Sequence, residues 1–232
     1  MGTKQLDIAS YLAGLPLFQE MSPAELERLA HSCQLYHHLR GEEIFRVGQP
    51  CEEFHVVVTG QVKLYVISSA GHEKVIELIA PGHTFAEALM FTGKPYIVNA
   101  QALSDAKVLT VKKAAVLDEI AHDSRFALRM LAGISRRLHG LVRDVESAAL
   151  HSGLQRVIGY LLRDQVVSED EPPQVRTVSL PVSKGTIASL LSLTPEYFSR
   201  VLRELEDAGL IYVDRRDIHI KDVCGLARYS MP

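Results

Sequence analysis

Apolar residues change period along the chain, and each period predicts a different element. Between Gly41 and about Lys112 the apolar runs are short and β-branched: Phe54–Val58, Val62–Ile67 and Val75–Ile79. Val62, Leu64 and Val66 alternate with Lys63, Tyr65 and Ile67, a period of two. Glycines at 41, 48, 60, 71, 82 and 93 punctuate these runs. Short strands with regular turn signals predict an antiparallel barrel or jelly roll, with Val108–Val111 as its closing strand. Ahead of it, Ser22-Pro23-Ala24-Glu25 forms a capping box with proline at the first helical position. That box opens a short helix with Leu26 and Leu29 inward. Behind the barrel, Ala115–His122 reads as a short amphipathic helix.

The period then becomes 3.5. In Ser124–Ala149, Leu131, Ile134, Leu138, Leu141, Val145 and Ala148 form one seam at a/d spacing. Met130, Val142 and Ala149 form a flanking line, and Asp123 or Ser124 supplies the cap. A helix of about 26 residues spans about 39 Å, too long for one small domain to cover. The seam is therefore expected to pair with its copy in a second chain, with the flank on this chain's own core. A long surface helix on a monomer is the alternative.

His151-Ser152-Gly153 breaks that helix, with Gly153 as its expected stop. Ser152 and Gln155 form a new capping box. The helix that follows buries Leu154, Val157, Ile158, Leu161 and Leu162, and the joint between the two could change angle. After an acidic loop at Ser168–Gln174, Ser183–Leu191 predicts a helix and Ser192-Leu193 a turn. Thr194 caps a second helix, Pro195 takes its first position and Gly209 ends it. Phe198, Val201, Leu202 and Leu205 face the core; Glu196, Ser199, Arg200 and Arg203 lie opposite. Two helices joined by a short turn make a helix-turn-helix. Ile211–Val213 and Ile218–Ile220 add a two-strand wing with a charged tip.

The expected fold class is α+β. It comprises a jelly-roll barrel at 1–123, a dimerisation helix at 124–151 and a winged helix-turn-helix at 152–232. The net charge is −3, so nucleic-acid binding must come from a local patch. The polar face of the second helix is the candidate: Arg200 can donate to guanine O6 and N7, Glu196 can accept from cytosine N4, and Ser199 can sit close to a base edge, the plain alternative being a solvated helix face with a chance mix of charges. Lys184, Arg203, Arg215 and Arg216 suit phosphates. Cys33, Cys51 and Cys224 lack the spacing of an iron–sulfur or zinc set. No apolar run of 18 residues marks a membrane span. With no secretory signal visible, a cytoplasmic protein is expected. No nucleophile–base pairing or phosphate-cradling loop supports an enzyme.

Barrel, long helix, hinge and winged head together resemble the CRP/FNR transcription regulators over nearly the whole chain. The most specific pieces are Phe85-Ala86-Glu87-Ala88 after Pro81-Gly82, and Glu196-Tyr197-Phe198-Ser199-Arg200. The latter resembles the recognition signature of the FNR branch. It implies half-sites of the type TTGAT…ATCAA, base-reading roles for Glu196, Ser199 and Arg200, and RNA polymerase as a partner. Pro195 stands where cyclic-AMP-type members keep a base-contacting arginine.

The resemblance also bears on the effector. Cyclic-nucleotide members follow a glutamate with Arg-Ser some ten residues on. Glu87 is present, but the matching stretch is Tyr96-Ile97-Val98-Asn99. An unpaired buried phosphate would be costly, so no cyclic nucleotide is expected. The N-terminal cysteine cluster of oxygen-sensing members is absent too. Phe85–Phe91 and Thr194–Arg200 resemble the DNR/NNR subgroup, associated with nitrogen oxides and denitrification, with haem as the suspected sensor. That implies haem between barrel and long helix, with nitric oxide changing the hinge. The expected effector pocket is Phe85, Glu87, Leu89, Phe91, Leu138 and His139, with Met90 in the same apolar group. His139, His83 and His72 are candidate axial ligands. Each histidine has a plain reading as a polar residue, and the apolar group one as ordinary core. Two rival functions remain. One is a regulator answering a cyclic nucleotide or other metabolite; the other is a haem- or ligand-binding protein whose helix-turn-helix docks protein.

Overall fold

Capping chemistry fixes the amino-terminal helices. The structure is a computed structural model and describes residues 6–15, 18, 21–163 and 175–229; the expected acidic loop at 168–174 lies outside them. Helix α1 (Ile8–Ala13) starts at Asp7, whose carboxylate accepts from the Ser10 N–H at 3.2 Å. Helix α2 (Pro23–His31) starts at Ser22, and both halves of the expected capping box form.

The barrel follows. Its elements are β1 (Cys33–His38), β2 (Glu43–Phe45), β3 (Glu53–Thr59), β4 (Val62–Ile67), β5 (Glu73–Ile79), β6 (Thr84–Phe85), α3 (Glu87–Met90), β7 (Asn99–Ala102) and β8 (Ala106–Lys112). Two four-stranded sheets result, ordered β1-β8-β3-β6 and β2-β7-β4-β5. Phe54, Val56, Val108 and Leu109 from the first share one core with Phe45, Val62, Leu64 and Ala100 from the second. All six punctuating glycines take positive φ, the region a side chain resists. At Gly60 space matters as well, since a Cβ would lie 2.4 Å from the Asp105 carbonyl oxygen. The alternation expected in β4 is not an alternation of burial: Lys63 and Tyr65 are buried beside Val62 and Leu64. The Lys63 ammonium sits 4.3 Å over the Tyr65 ring, so each side chain shields the other.

Helix α4 (Lys113–His122) carries the buried carboxylate of Glu119, which accepts from Arg28 Nε at 2.9 Å and Nη2 at 3.0 Å. Helix α5 (Ser124–Leu150) is capped by Asp123, whose Oδ1 accepts from the Arg125 N–H at 2.9 Å. Its first turns are anchored: Phe126 and Met130 are buried in the barrel core, with the Phe126 ring 6.2 Å from that of Phe18. Beyond Met130 the helix has left that core. Val142 and Ala149, expected on a buried flank, are exposed, a correction to the sequence reading. In the single chain the seam stands open too: Ile134 is half-buried, while Leu131, Leu138, Leu141, Val145 and Ala148 are exposed.

Two compact units emerge. One takes residues up to Ile67 with Ile76–Gly140; the other takes Ser68–Val75 and everything from Leu141. The second unit holds α6 (Gly153–Leu162), β9 (Arg176–Ser179), α7 (Lys184–Leu190), α8 (Pro195–Asp207), β10 (Ile211–Asp214), β11 (Asp217–Ile220) and α9 (Val223–Tyr229). Its three-stranded sheet is ordered β10-β11-β9, so the expected two-strand wing gains a third strand. Ser152 caps α6 with the full capping box. Gly153 is the first residue of α6, not the terminator of α5. Its lack of a side chain serves space, because a Cβ there would lie 2.5 Å from Cε1 of Tyr197.

Candidate nucleic-acid interface

Helix α7 starts at Ser183, whose hydroxyl accepts from the Thr186 N–H at 3.1 Å. It ends at a tight turn in which Ser192 takes φ 56°. The open carbonyls at that end meet a cation: Arg156 of α6 donates from Nη1 to Leu191 O at 2.6 Å. A positive charge at a helix C-terminus is favoured by the peptide dipoles. Sequence reading missed this role for Arg156, and no local pattern could give it, because the partners are 35 residues apart.

Thr194 then caps α8, accepting from the Tyr197 N–H at 3.2 Å, with Pro195 in the first turn. The helix closes on Gly209 at φ 74°. The Gly209 N–H donates to Glu206 O at 2.9 Å and the Leu210 N–H to Leu205 O at 3.0 Å, a Schellman pair. Between these ends the two faces separate as predicted. Phe198, Val201, Leu202 and Leu205 are buried, while Glu196, Ser199, Arg200 and Arg203 are exposed. Burial of the apolar face fixes the rotation of α8, and so presents the polar face to the outside. Lys184, at the first position of α7, is half-buried.

The wing stands on the same helix. Strands β10 and β11 pair antiparallel from Ile211↔Ile220 to Asp214↔Asp217, leaving Arg215 and Arg216 as a two-residue tip. Both are exposed, and Arg215 takes φ 53°. Glu206 of α8 accepts from the Val213 N–H at 3.0 Å, tying the wing to the end of that helix. A further contact escaped the sequence reading: the Arg200 guanidinium carbon lies 4.7 Å from the centre of the Tyr197 ring. The signal was present, since residues three apart on a helix are neighbours.

The expected effector residues are not gathered in the same way. Phe85 is fully buried, its ring 4.9 Å from His55 and 6.0 Å from Phe45. Glu87 and Met90 are buried and Leu89 is half-buried; Phe91 is 42% exposed. Leu138 and His139 are exposed on α5, as are His72 and His83 on the barrel. Within one chain these residues do not fit haem: Phe85 and Met90 are committed to the core, while Phe91, Leu138 and the candidate histidines are exposed. The stretch at 96–99 has its own occupant. Tyr96 is buried, stacked 3.7 Å from Phe45, and its hydroxyl lies 3.2 Å from His55 Nε2. Burial in this apolar stack drives the His55 pKa down to about 3, with His38 adding a smaller push. Among the described residues no cluster of histidine, cysteine and carboxylates could hold a metal, and no helix is long and apolar enough to cross a membrane.

Comparison with known proteins places these two units. Residues 37–123 match the family model described as a cyclic nucleotide-binding domain, and residues 155–229 the one described as a Crp-like helix-turn-helix domain. The crystal structure of DNR from Pseudomonas aeruginosa is 33% identical, with 99% of this chain and 100% of that one covered, at a TM-score of 0.53. FixK2 from Bradyrhizobium japonicum has a TM-score of 0.74 over 86% of this chain and 98% of that one, at 24% identity. The nitrogen fixation regulation protein FixK of Azorhizobium caulinodans is 27% identical over 191 residues, 82% of this chain and 76% of its own.

Proposed function

The chain belongs to the CRP/FNR family of DNA-binding transcription regulators, and on that premise we propose that it works as a homodimer reading a TTGAT-type palindrome. In this reading the seam of α5 pairs with its copy, and two α8 helices enter successive major grooves about 34 Å apart. Glu196, Ser199 and Arg200 read base edges; Lys184, Arg203, Arg215 and Arg216 meet phosphates. The bound dimer works with RNA polymerase in the cytoplasm. The observation that carries the reading is the rotation of α8, whose buried face leaves Glu196, Ser199, Arg200 and Arg203 on the opposite, exposed side.

A small effector acting on barrel and long helix gates this binding. We propose a signal of the nitrogen-oxide class, supported by the run Phe85–Phe91 and by the likeness to DNR over nearly the whole chain. Against a cyclic nucleotide stands the 96–99 stretch, which offers no cation to a phosphate and buries Tyr96 instead. The single chain offers haem no fitting set of residues.

Gel shift on a TTGAT palindrome tests the core of the proposal. Arg200→Ala should weaken specific binding by about 1–3 kcal/mol and relax the preference at one base pair. An unchanged preference would refute its role. Repeating the assay with nitric oxide, with added haem and with cyclic AMP separates the effector classes.

A further inference from the structure

Tyr197 belongs to neither face of α8 that the sequence defines. It is half-buried, and its N–H is already satisfied by Thr194 Oγ1 at 3.2 Å. Its ring, however, has two neighbours of opposite kind. Over the face lies the Arg200 guanidinium, 4.7 Å from the ring centre. Against the phenol end lies the bare backbone of Gly153, where a Cβ would come within 2.5 Å of Cε1 and 2.9 Å of Cζ.

We infer that Tyr197 is a positioning residue for DNA reading: its ring face holds Arg200 in place, and its ring edge is seated on Gly153 at the start of α6. The inference rests on the base-reading role proposed for Arg200. An arginine side chain samples many rotamers and gives up that freedom when it meets a base. A ring that attracts the guanidinium beforehand reduces what is lost on binding. The seat is equally specific, because among the amino acids only glycine lets the ring approach this close. Ser152 starts α6 afresh with its own capping box, so the first turn of α6 is a defined platform, not a frayed end. One side chain thereby links the placing of that turn to the direction of the arginine.

The test uses the full-length protein with Tyr197→Phe, Tyr197→Leu, Gly153→Ala, and Gly153→Ala combined with Tyr197→Leu. Each is titrated against the preferred palindrome and against one altered at the base pair that Arg200 reads, over a range of salt. Tyr197→Leu should lower discrimination at that pair about two- to fivefold, the size of an exposed cation–π contact. The salt slope should stay unchanged. Tyr197→Phe keeps the ring face and should behave as wild type. Gly153→Ala should reproduce the loss alone, yet add little to Tyr197→Leu, where the ring it displaces is gone. In the free protein the Arg200 Nε–H proton should resonate upfield by ring current in wild type and Tyr197→Phe, and lose that shift in Tyr197→Leu.

Undiminished discrimination in Tyr197→Leu, a phenylalanine variant as impaired as the leucine one, or simple additivity with Gly153→Ala would each overturn the inference. Should Gly153→Ala fail to fold, the Phe and Leu variants decide between them. If wild type prefers no half-site, the DNA reading falls, and the ring-current shift alone judges whether Tyr197 holds Arg200.

Discussion

Helices α5 and α8 both carry a continuous apolar stripe, yet they end in opposite conditions. On α8 the stripe is wholly buried within its own unit. On α5 the last fully buried residue among the described ones is Met130; Leu138 is 58% exposed and Val145 68% exposed. The stripe itself does not tell the two apart. What differs is the spacing and the length: on α8, 13 residues long, the stripe from Phe198 to Leu205 is spaced i, i+3, i+4, i+7, while on α5, 27 residues long, an a/d seam runs from Leu131 to Ala148. A helix that outruns its core while keeping a/d spacing presents an apolar surface suited to pairing with another molecule.

Replacing one residue on each stripe should separate these conditions. Leu138→Arg should raise the dimer dissociation constant by at least about a hundredfold, since two leucines lose roughly 3–6 kcal/mol of burial. Sedimentation should then find monomers, while circular dichroism and the unfolding of the single chain stay as in wild type. A wild-type protein already monomeric at micromolar concentration would break the comparison outright. Phe198→Ala should do the reverse, destabilising the reading head by about 3–5 kcal/mol. Denaturant unfolding should show this without any prior change in oligomeric state.

A smaller effect sharpens the contrast, because α5 is rooted in a core with a titratable member. His55 has a folded pKa of about 3 against an ordinary 6.5. Its neutral form is therefore fully stabilising above the ordinary value. As pH falls below 6.5 the unfolded chain takes up a proton that the folded barrel refuses. Stability should drop by up to about 1.4 kcal/mol per pH unit until the folded pKa is reached. Denaturant melts at pH 7, 6 and 5 should show the slope in the barrel transition and lose it in His55→Gln. The reading head, with its apolar α8 footing, should not share it.

Much of this fold was legible because its signals are local. The capping boxes at Ser22 and Ser152, the cap at Thr194 and the stop at Gly209 each act within a few residues, and each formed as read. Elements held by distant partners were missed. Strand β1, Cys-Gln-Leu-Tyr-His-His, has little apolar alternation and exists because it pairs with β8 from Cys33↔Val111 to His38↔Ala106. Strand β9 is four residues long and is completed by β11. Helix α9 was likewise unforeseen. The proposed reading residues lay on one helix, so spacing alone gathered them. The effector set drew on three separate elements, β6, α3 and α5, and spacing could not show that Phe85 is claimed by His55 and Phe45.

The wing tip sets two kinds of selection against each other. Arg215 sits at φ 53°, a backbone state that an L-residue other than glycine adopts at a cost of about 1 kcal/mol or more. Glycine would remove that strain, and with it the charge proposed to meet a phosphate. A search for heat-resistant variants should therefore converge on Arg215→Gly and return a hardier protein with a looser hold on its operator. A search for tight operator binding should keep the arginine and tolerate the softer turn.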